Sequence, residues 1–331
     1  MKDYVFASTY LRTIEKWLLD ATDIQRMIGE KEPKEVLKVL EDTNYAKEFK
    51  GLISKVSPED YQKILEDDLS CAKRLLESLV ENKDLIELCL LPFDFHNLKL
   101  FFKERFLKID FKNFVSFTGS QNPEELRKAV FGKKEAKISL NFKGVIKKTQ
   151  KEFQKRHDPF FIETYLDKKR YSLSLFLAKK IKSKWILNYI REEIDLLNLA
   201  NIVRLFNLKK KEKIKEVLIE GGKIEWEIKS LLKFKDTQNF LLKIKNQFDL
   251  KIREIIDEYL KEKNLWKFLR NLKNFHREEL KKSKFIIVGP EVIFSYFVAR
   301  LNANRNLRII MEGKLNGIKN EEIQQRVRIP F

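Results

Sequence analysis

Apolar residues recur at intervals of three and four along most of the chain, which is the spacing of amphipathic helices. Residues 94–102, DFHNLKLFF, show the pattern, with Leu98, Phe101 and Phe102 on one stripe. No segment alternates apolar and polar residues over more than a few positions, as a half-buried strand would. The 331 residues include only ten Gly and seven Pro, too few for a fold with many tight turns. The pattern predicts an all-α protein.

Several helix ends can be predicted from capping residues. Asn122 precedes a Pro-Glu-Glu run, so it is the expected N-cap of a helix, with Glu125 at the capping-box position. The glycines at 221–222 and within 313–317 predict helix ends, and Asn320 is expected to open a last short helix.

Short sequence motifs recur near residues 29, 119 and 215, at the starts of three stretches of chain, and we call them opening marks. Residues 29–36, GEKEPKEV, match residues 119–126, GSQNPEEL, in their glycine, proline and glutamate. The tetrapeptide KEVL occurs at 34–37 and again at 215–218. We interpret these marks as the openings of internal repeats.

A second motif, acid-x-x-Asn-Leu, recurs near the end of each stretch. Its copies are Asp94-Asn97-Leu98, Asp195-Asn198-Leu199 and Asn306-Leu307-Arg308, the last with Ala303 at the acid position. In every copy the residues three and four positions beyond the leucine are apolar. Together the marks predict three homologous helical-bundle subdomains over residues 1–114, 115–210 and 211–331.

The acid and the asparagine of this motif lie three residues apart and therefore share one face of a helix. A carboxylate and an amide beside a core can satisfy backbone groups at the end of a neighbouring helix, because an amide both donates and accepts. We therefore predict a structural junction. Catalysis is the alternative, but it needs a second acid or base at one site, and Ala303 has no ionisable group.

The charge of the chain favours a negatively charged partner surface. Its 68 basic and 49 acidic residues give a formal net charge of +19. Acids interrupt the lysines in runs such as residues 208–218, LKKKEKIKEVL, which is typical of solvated helix faces. No nucleic-acid recognition motif is present. A basic helical scaffold that binds nucleic acid remains the alternative function.

Residues that could support catalysis or bind a metal are few. His96, His157 and His276 lie far apart, and Cys71 and Cys89 form no C-x-x-C pair, so no metal site is predicted. The chain has no phosphate-binding loop, no G-x-G-x-x-G and no G-x-S-x-G. We predict no catalytic residue, cofactor or small-molecule substrate. An enzyme with an unrecognised site is a third reading. A reducing cytosol and no membrane-spanning segment are expected.

Five stretches together resemble a known family, the C subunits of the prokaryotic V/A-type rotary ATPases, which are the counterparts of the d subunits in eukaryotic V-ATPases. The resemblance covers nearly the whole chain, and the stretches that carry it are YLRTIEKWLLD (10–20), KEVLKVLEDTNY (34–45), DFHNLKLFFKERF (94–106), DPFFIETYLDKKRY (158–171) and GPEVIFSYFVARLNANRNLRIIMEGKLNG (289–317).

The resemblance implies an all-helical protein of three similar subdomains arranged as a pseudo-threefold funnel. It implies a non-catalytic rotor subunit, peripheral on the cytoplasmic face of the membrane, that joins the central-stalk subunits of D/F type to the membrane proteolipid ring. Ion translocation would thereby be coupled to ATP synthesis or hydrolysis. The chain departs from the family at Leu301 and Ala303, where relatives usually have acids.

Overall fold

The computed structural model describes residues 4–48, 50–111, 114–133, 135–156, 158–231, 233–234 and 236–331. Within these ranges all regular secondary structure is helical, which confirms the all-α prediction. Short 3-10 turns connect several of the helices.

The α-helices are, in chain order, α1 (Val5–Ile14), α2 (Ala21–Gly29), α3 (Pro33–Glu41), α4 (Lys50–Ile53), α5 (Gln62–Leu79), α6 (Lys83–Leu107), α7 (Pro123–Val130), α8 (Leu140–Arg156), α9 (Pro159–Ile181), α10 (Lys184–Asn207), α11 (Ile214–Val217), α12 (Glu225–Leu231), α13 (Thr237–Ile244), α14 (Leu250–Glu262), α15 (Leu265–Lys281), α16 (Pro290–Leu315) and α17 (Asn320–Arg326).

The chain forms two compact units. The terminal unit contains Met1–Ile86 and Lys273–Phe331, and the central unit contains Glu87–Leu272. The division at 1–114, 115–210 and 211–331 and the funnel arrangement stay predictions.

Helix α16 is the core of the terminal unit. Eighteen of its 26 residues are buried, and it packs against α1, α2, α3 and α5. Its buried residues include polar ones such as Arg300, Asn304 and Lys314. The polar side chains of α16 must therefore find partners inside the protein.

The largest group of such partners surrounds Asp68 on α5. Its carboxylate accepts hydrogen bonds from Arg300 Nε at 2.9 Å, from Tyr45 Oη at 2.6 Å and from Asn304 Nδ2 at 2.8 Å. Asp68 is 1% exposed and Arg300 4%, so the ion pair is removed from water. Burial raises the pKa of Tyr45 well above its usual value, and the charge of Asp68 raises it further.

Lys314 of α16 caps the carboxyl end of α2. Lys314 Nζ donates to the carbonyl oxygen of Ile28 at 2.6 Å, to that of Glu30, and to Asn320 Oδ1 at 2.6 Å. A lysine in this position satisfies carbonyl groups that the helix leaves unpaired. Asn320 also begins α17, which confirms its predicted place.

The predicted helix end within 313–317 is confirmed. Helix α16 ends at Leu315, and Gly317 follows with φ +64°. Gly313 instead lies inside the helix, where an added Cβ would stand 2.6 Å from the Ile323 side chain. It therefore provides the close approach of α17 to α16.

In the central unit, α9 packs between α8 and α10, and α13 adds to α10. Asn122 caps α7 by accepting from the N–H groups of Glu124 and Glu125, as predicted. The predicted capping box is wrong, since the Glu125 carboxylate accepts from the Lys137 N–H at 2.7 Å instead. The glycines at 221–222 lie between α11 and α12, beyond the end of α11 at Val217.

We expect Arg300→Met to lower the free energy of unfolding by about 3–5 kcal/mol, because it leaves the Asp68 carboxylate buried without its cation. Urea denaturation followed by circular dichroism measures the loss. The double variant Asp68→Asn with Arg300→Met removes both charges and should recover much of the stability. Equal losses in the single and double variants would contradict this account of the ion pair.

Candidate functional site

The three repeated asparagines each form the same pair of hydrogen bonds with one backbone residue further along the chain. In each pair, Nδ2 donates to the carbonyl oxygen of that residue, and Oδ1 accepts from its N–H. The pairs and their two distances are Asn97 with Ser116 (2.7 and 2.9 Å), Asn198 with Ile219 (2.8 and 2.9 Å) and Asn306 with Arg328 (3.0 and 3.0 Å). We call each pair an asparagine bridge.

An asparagine suits this task because its amide has the same donor and acceptor as the peptide group it binds. The three asparagines are at most 1% exposed. The backbone residues that they bind lie outside the α-helices, 19, 21 and 22 positions later. Each bridge therefore holds a non-helical segment against a helix, where its peptide group would otherwise be unpaired.

The acid of the first copy adds a second anchor to the same segment. Asp94 accepts from the Ser120 N–H at 3.0 Å, from Ser120 Oγ at 2.7 Å and from the Gln121 N–H at 2.9 Å. Burial raises the pKa of Asp94 to about 6, and the Gln121 and Ser120 bonds oppose that rise.

Asp195 repeats the arrangement in the second copy. It accepts from the N–H groups of Lys223 at 2.8 Å and Ile224 at 3.4 Å. Burial again raises the pKa of the carboxyl to about 6, while the two backbone bonds lower it. In both copies the bound N–H groups immediately precede a helix, α7 or α12, so the acid positions the start of that helix.

A glycine accompanies each acid at the same distance from the bridge. Gly119 lies three residues after Ser116, and Gly222 lies three residues after Ile219. An added Cβ would stand 2.2 Å from Asp94 Oδ1 at the first site, and 2.0 Å from Asp195 Oδ1 at the second. Any larger residue would displace the carboxylate.

The third copy lacks both members of this pair. Ala303 occupies the acid position, and the register set by the bridge places Phe331, three residues after Arg328, at the glycine position. Leu301 and Ala303 are 7% and 6% exposed. With no carboxylate at position 303, the requirement for glycine no longer applies.

The bridges also set a register between two stretches of the chain. Helix α7 follows the bridged Ser116, and its counterpart after the bridged Ile219 is α12. The KEVL at 215–218, which repeats residues 34–37, comes before Ile219, so in this register it does not align with the mark at 119–126.

The apolar half of the motif is buried as its periodicity predicts. Leu98, Leu199 and Leu307 are at most 2% exposed. Arg308 is exposed and contributes no hydrogen bond to the junction among the described residues. What sequence reasoning missed was the glycine, and its signal was a Gly 25 or 27 positions after the acid.

The other candidate residues form no cluster. His96 Nε2 lies 2.9 Å from the Phe114 carbonyl oxygen, and His157 lies outside the described residues. Cys71 and Cys89 are buried free thiols. Within the described ranges, no group of three His, Cys, Asp or Glu side chains could hold a metal ion. No helix of that part of the chain combines the length and apolarity needed to span a bilayer.

We expect Asn97→Ala, Asn198→Ala and Asn306→Ala each to lower the free energy of unfolding by about 1–3 kcal/mol, because each removes both hydrogen bonds that a buried asparagine makes to a partly or fully buried peptide group. The control is Asn246→Ala, because the Asn246 side chain is exposed. This variant should change the free energy of unfolding by no more than about 0.5 kcal/mol. Urea midpoints that are unchanged in all three bridge variants would refute the structural role.

We expect Gly119→Ala and Gly222→Ala each to destabilise by about 1–3 kcal/mol, the usual effect of overpacking. Gly144→Ala is the matched control, since nothing lies within 4 Å of its added Cβ and alanine favours helix α8 by up to about 1 kcal/mol. Adding Asp94→Ala to Gly119→Ala should reduce the effect of the glycine change, as in the third copy. An unreduced effect would show that the carboxylate is not the obstacle.

Comparison with known proteins gives these junctions a family context. Residues 7–326 match the family described as ATP synthase (C/AC39) subunit. Over 341 aligned positions, the chain is 22% identical to a protein from Methanocaldococcus jannaschii that is named as the C subunit of the A-type ATP synthase. The alignment covers 97% of this chain and 85% of that protein. Both findings agree with the resemblance of the five sequence stretches. The chain belongs to the ATP synthase (C/AC39) subunit family.

Proposed function

We propose that this chain is a non-catalytic rotor subunit of a V/A-type ATPase. It acts as a socket that joins the central-stalk subunits of D/F type to the proteolipid ring, on the cytoplasmic face of the membrane. In this role it couples ion translocation to ATP synthesis or hydrolysis without binding a substrate or cofactor itself.

The observation that carries the proposal is the family match over residues 7–326. It covers both compact units, so the assignment does not depend on one fragment of the chain. The relative from Methanocaldococcus jannaschii aligns over nearly the same length.

The asparagine bridges support a mechanical role. A part that transmits torque must deform little under load, and irregular segments are the softest parts of a helical protein. Three such segments are each held to a helix by two hydrogen bonds from a buried asparagine. In two copies a buried carboxylate adds further bonds to the same segment.

The charge of the chain supports a place near the membrane. A net charge of +19 favours an anionic surface. Each lysine close to anionic headgroups contributes about 1 kcal/mol of attraction.

The test is to delete the gene in its own host and to assay membrane vesicles. We expect ATP hydrolysis that no longer drives ion uptake, because the head and membrane sectors lose their connection. Complementation with the wild-type gene should restore coupling. Fully coupled ion uptake in the deletion strain would rule out the socket role.

A tagged copy of the chain, purified from membranes in mild detergent at physiological salt, tests the partners directly. Proteolipid and central-stalk subunits should co-purify with it. Nucleic acid in the eluate instead, with binding that weakens steeply as salt rises, would favour the alternative of a basic scaffold for nucleic acid.

A further inference from the structure

We propose that a lysine-lined groove on the central unit binds a small ligand that carries several phosphate groups. This site is separate from the asparagine bridges and does not depend on the rotor role. Its failure would therefore leave the proposed function untouched.

The groove consists of two adjoining cavities. One has a volume of about 700 Å³ and the other about 610 Å³, and Lys168 and Lys215 line both. The lysines of the two cavities are Lys148, Lys151, Lys168, Lys215, Lys229 and Lys233. We call this surface the lysine groove.

Three packed helices bring four of these lysines together. Lys148 and Lys151 lie three residues apart on α8, and α9 packs against it and carries Lys168. Helix α11, which packs against α9, supplies Lys215. The convergence is therefore a product of the helix packing and not of a single charged run.

Most of this positive charge is uncompensated. Within the described part of the chain, no carboxylate lies within ion-pair distance of Lys148, Lys151, Lys215 or Lys233. Lys229 differs, because it is paired with Glu225 and lies 3.5 Å from Glu220. Like charges that share a cleft repel one another and concentrate the positive potential there, so an anion that enters the groove relieves the repulsion.

The acidic residues of the groove do not cancel this charge. Three glutamates line the two cavities, against six lysines. Glu152 is engaged by Lys155 at 3.3 Å, a lysine outside the lining, and Glu220 lies near Lys229. The lining therefore keeps an excess of positive charge.

The dimensions favour phosphate over carboxylate ligands. A cavity of about 700 Å³ falls within the range of small-molecule sites, roughly 300–1,000 Å³. A ligand of that size must carry several negative charges to meet the three unpaired ammonium groups of that cavity, Lys148, Lys151 and Lys215. A phosphate monoester supplies about 1.5–2 charges per group, whereas a carboxylate supplies one. Lysine suits such a ligand because its ammonium is a compact charge on a flexible stem.

Isothermal titration calorimetry of the full chain with inorganic tripolyphosphate, at about 150 mM ionic strength, tests the site. The variant Lys151→Gln with Lys215→Gln removes one unpaired lysine from α8 and one from α11. We expect its Kd to rise at least about tenfold, since a single charge-assisted contact is worth about that factor.

The matched control is Lys16→Gln with Lys55→Gln. It removes the same net charge from two exposed lysines of the terminal unit. Its Kd should stay within about twofold of wild type, since surface charges separated by more than about 10 Å are largely screened. An equal loss in both double variants would overturn the proposal, because attraction would then depend on net charge alone. Tripolyphosphate that binds no more tightly than sulfate would also overturn it.

Vesicle flotation separates the two possible sources of the phosphate groups. Phosphatidylcholine vesicles with phosphatidic acid present them on a membrane, and tripolyphosphate presents them free in solution. Binding to those vesicles that is lost in the groove variant and kept in the control assigns the site to lipid headgroups. Groove-dependent binding of tripolyphosphate alone assigns it to a soluble ligand. If the groove variant and the control variant bind alike in both assays, the site is rejected.

Discussion

A buried peptide group that belongs to no helix must still form its hydrogen bonds, because leaving it unpaired costs about 1–3 kcal/mol. The asparagine bridges meet this constraint three times. Asn97, Asn198 and Asn306 each bind both polar groups of one backbone residue. Each asparagine stands one residue before a buried leucine, so the same helical turn supplies the apolar contact and the polar one. The connections between helices are thereby ordered without strands.

The acids show how one choice of residue constrains another in this arrangement. A carboxylate that accepts from the N–H groups at the start of a helix must come very close to the backbone, and only glycine leaves room for it. Its burial raises the pKa to about 6 in both copies, so holding the charged form there has a cost. The third copy has neither the acid nor the glycine. The asparagine bridge is the part that all three copies share, and the acid anchor is an addition to it.

In the terminal unit, a buried ion pair satisfies polar side chains that are removed from water. The buried Asp68 carboxylate accepts hydrogen bonds from Arg300, Tyr45 and Asn304. It therefore joins α5, α16 and the turn at Tyr45. Buried ion pairs of this kind add little net stability, but removing one partner is strongly destabilising. Bridges, acid anchors and this ion pair all hold elements of their own unit in one arrangement. The lysine groove differs from them, since its charges lie at the surface and most have no partner within the described protein.

The sequence by itself determined the all-α class, the cap at Asn122, the start of α17 and the family resemblance, because apolar periodicity and capping depend on residues within a few positions of one another. It also placed the acid and asparagine on one helix face. Only the tertiary structure decided which backbone groups they bind, since the partners lie 19, 21 and 22 residues away and the intervening segments differ in length. The same limit explains why the pairing of Asp68 with Arg300, 232 positions apart, could not be predicted from the sequence. Contacts over such distances depend on how the helices pack, and no local pattern encodes that packing.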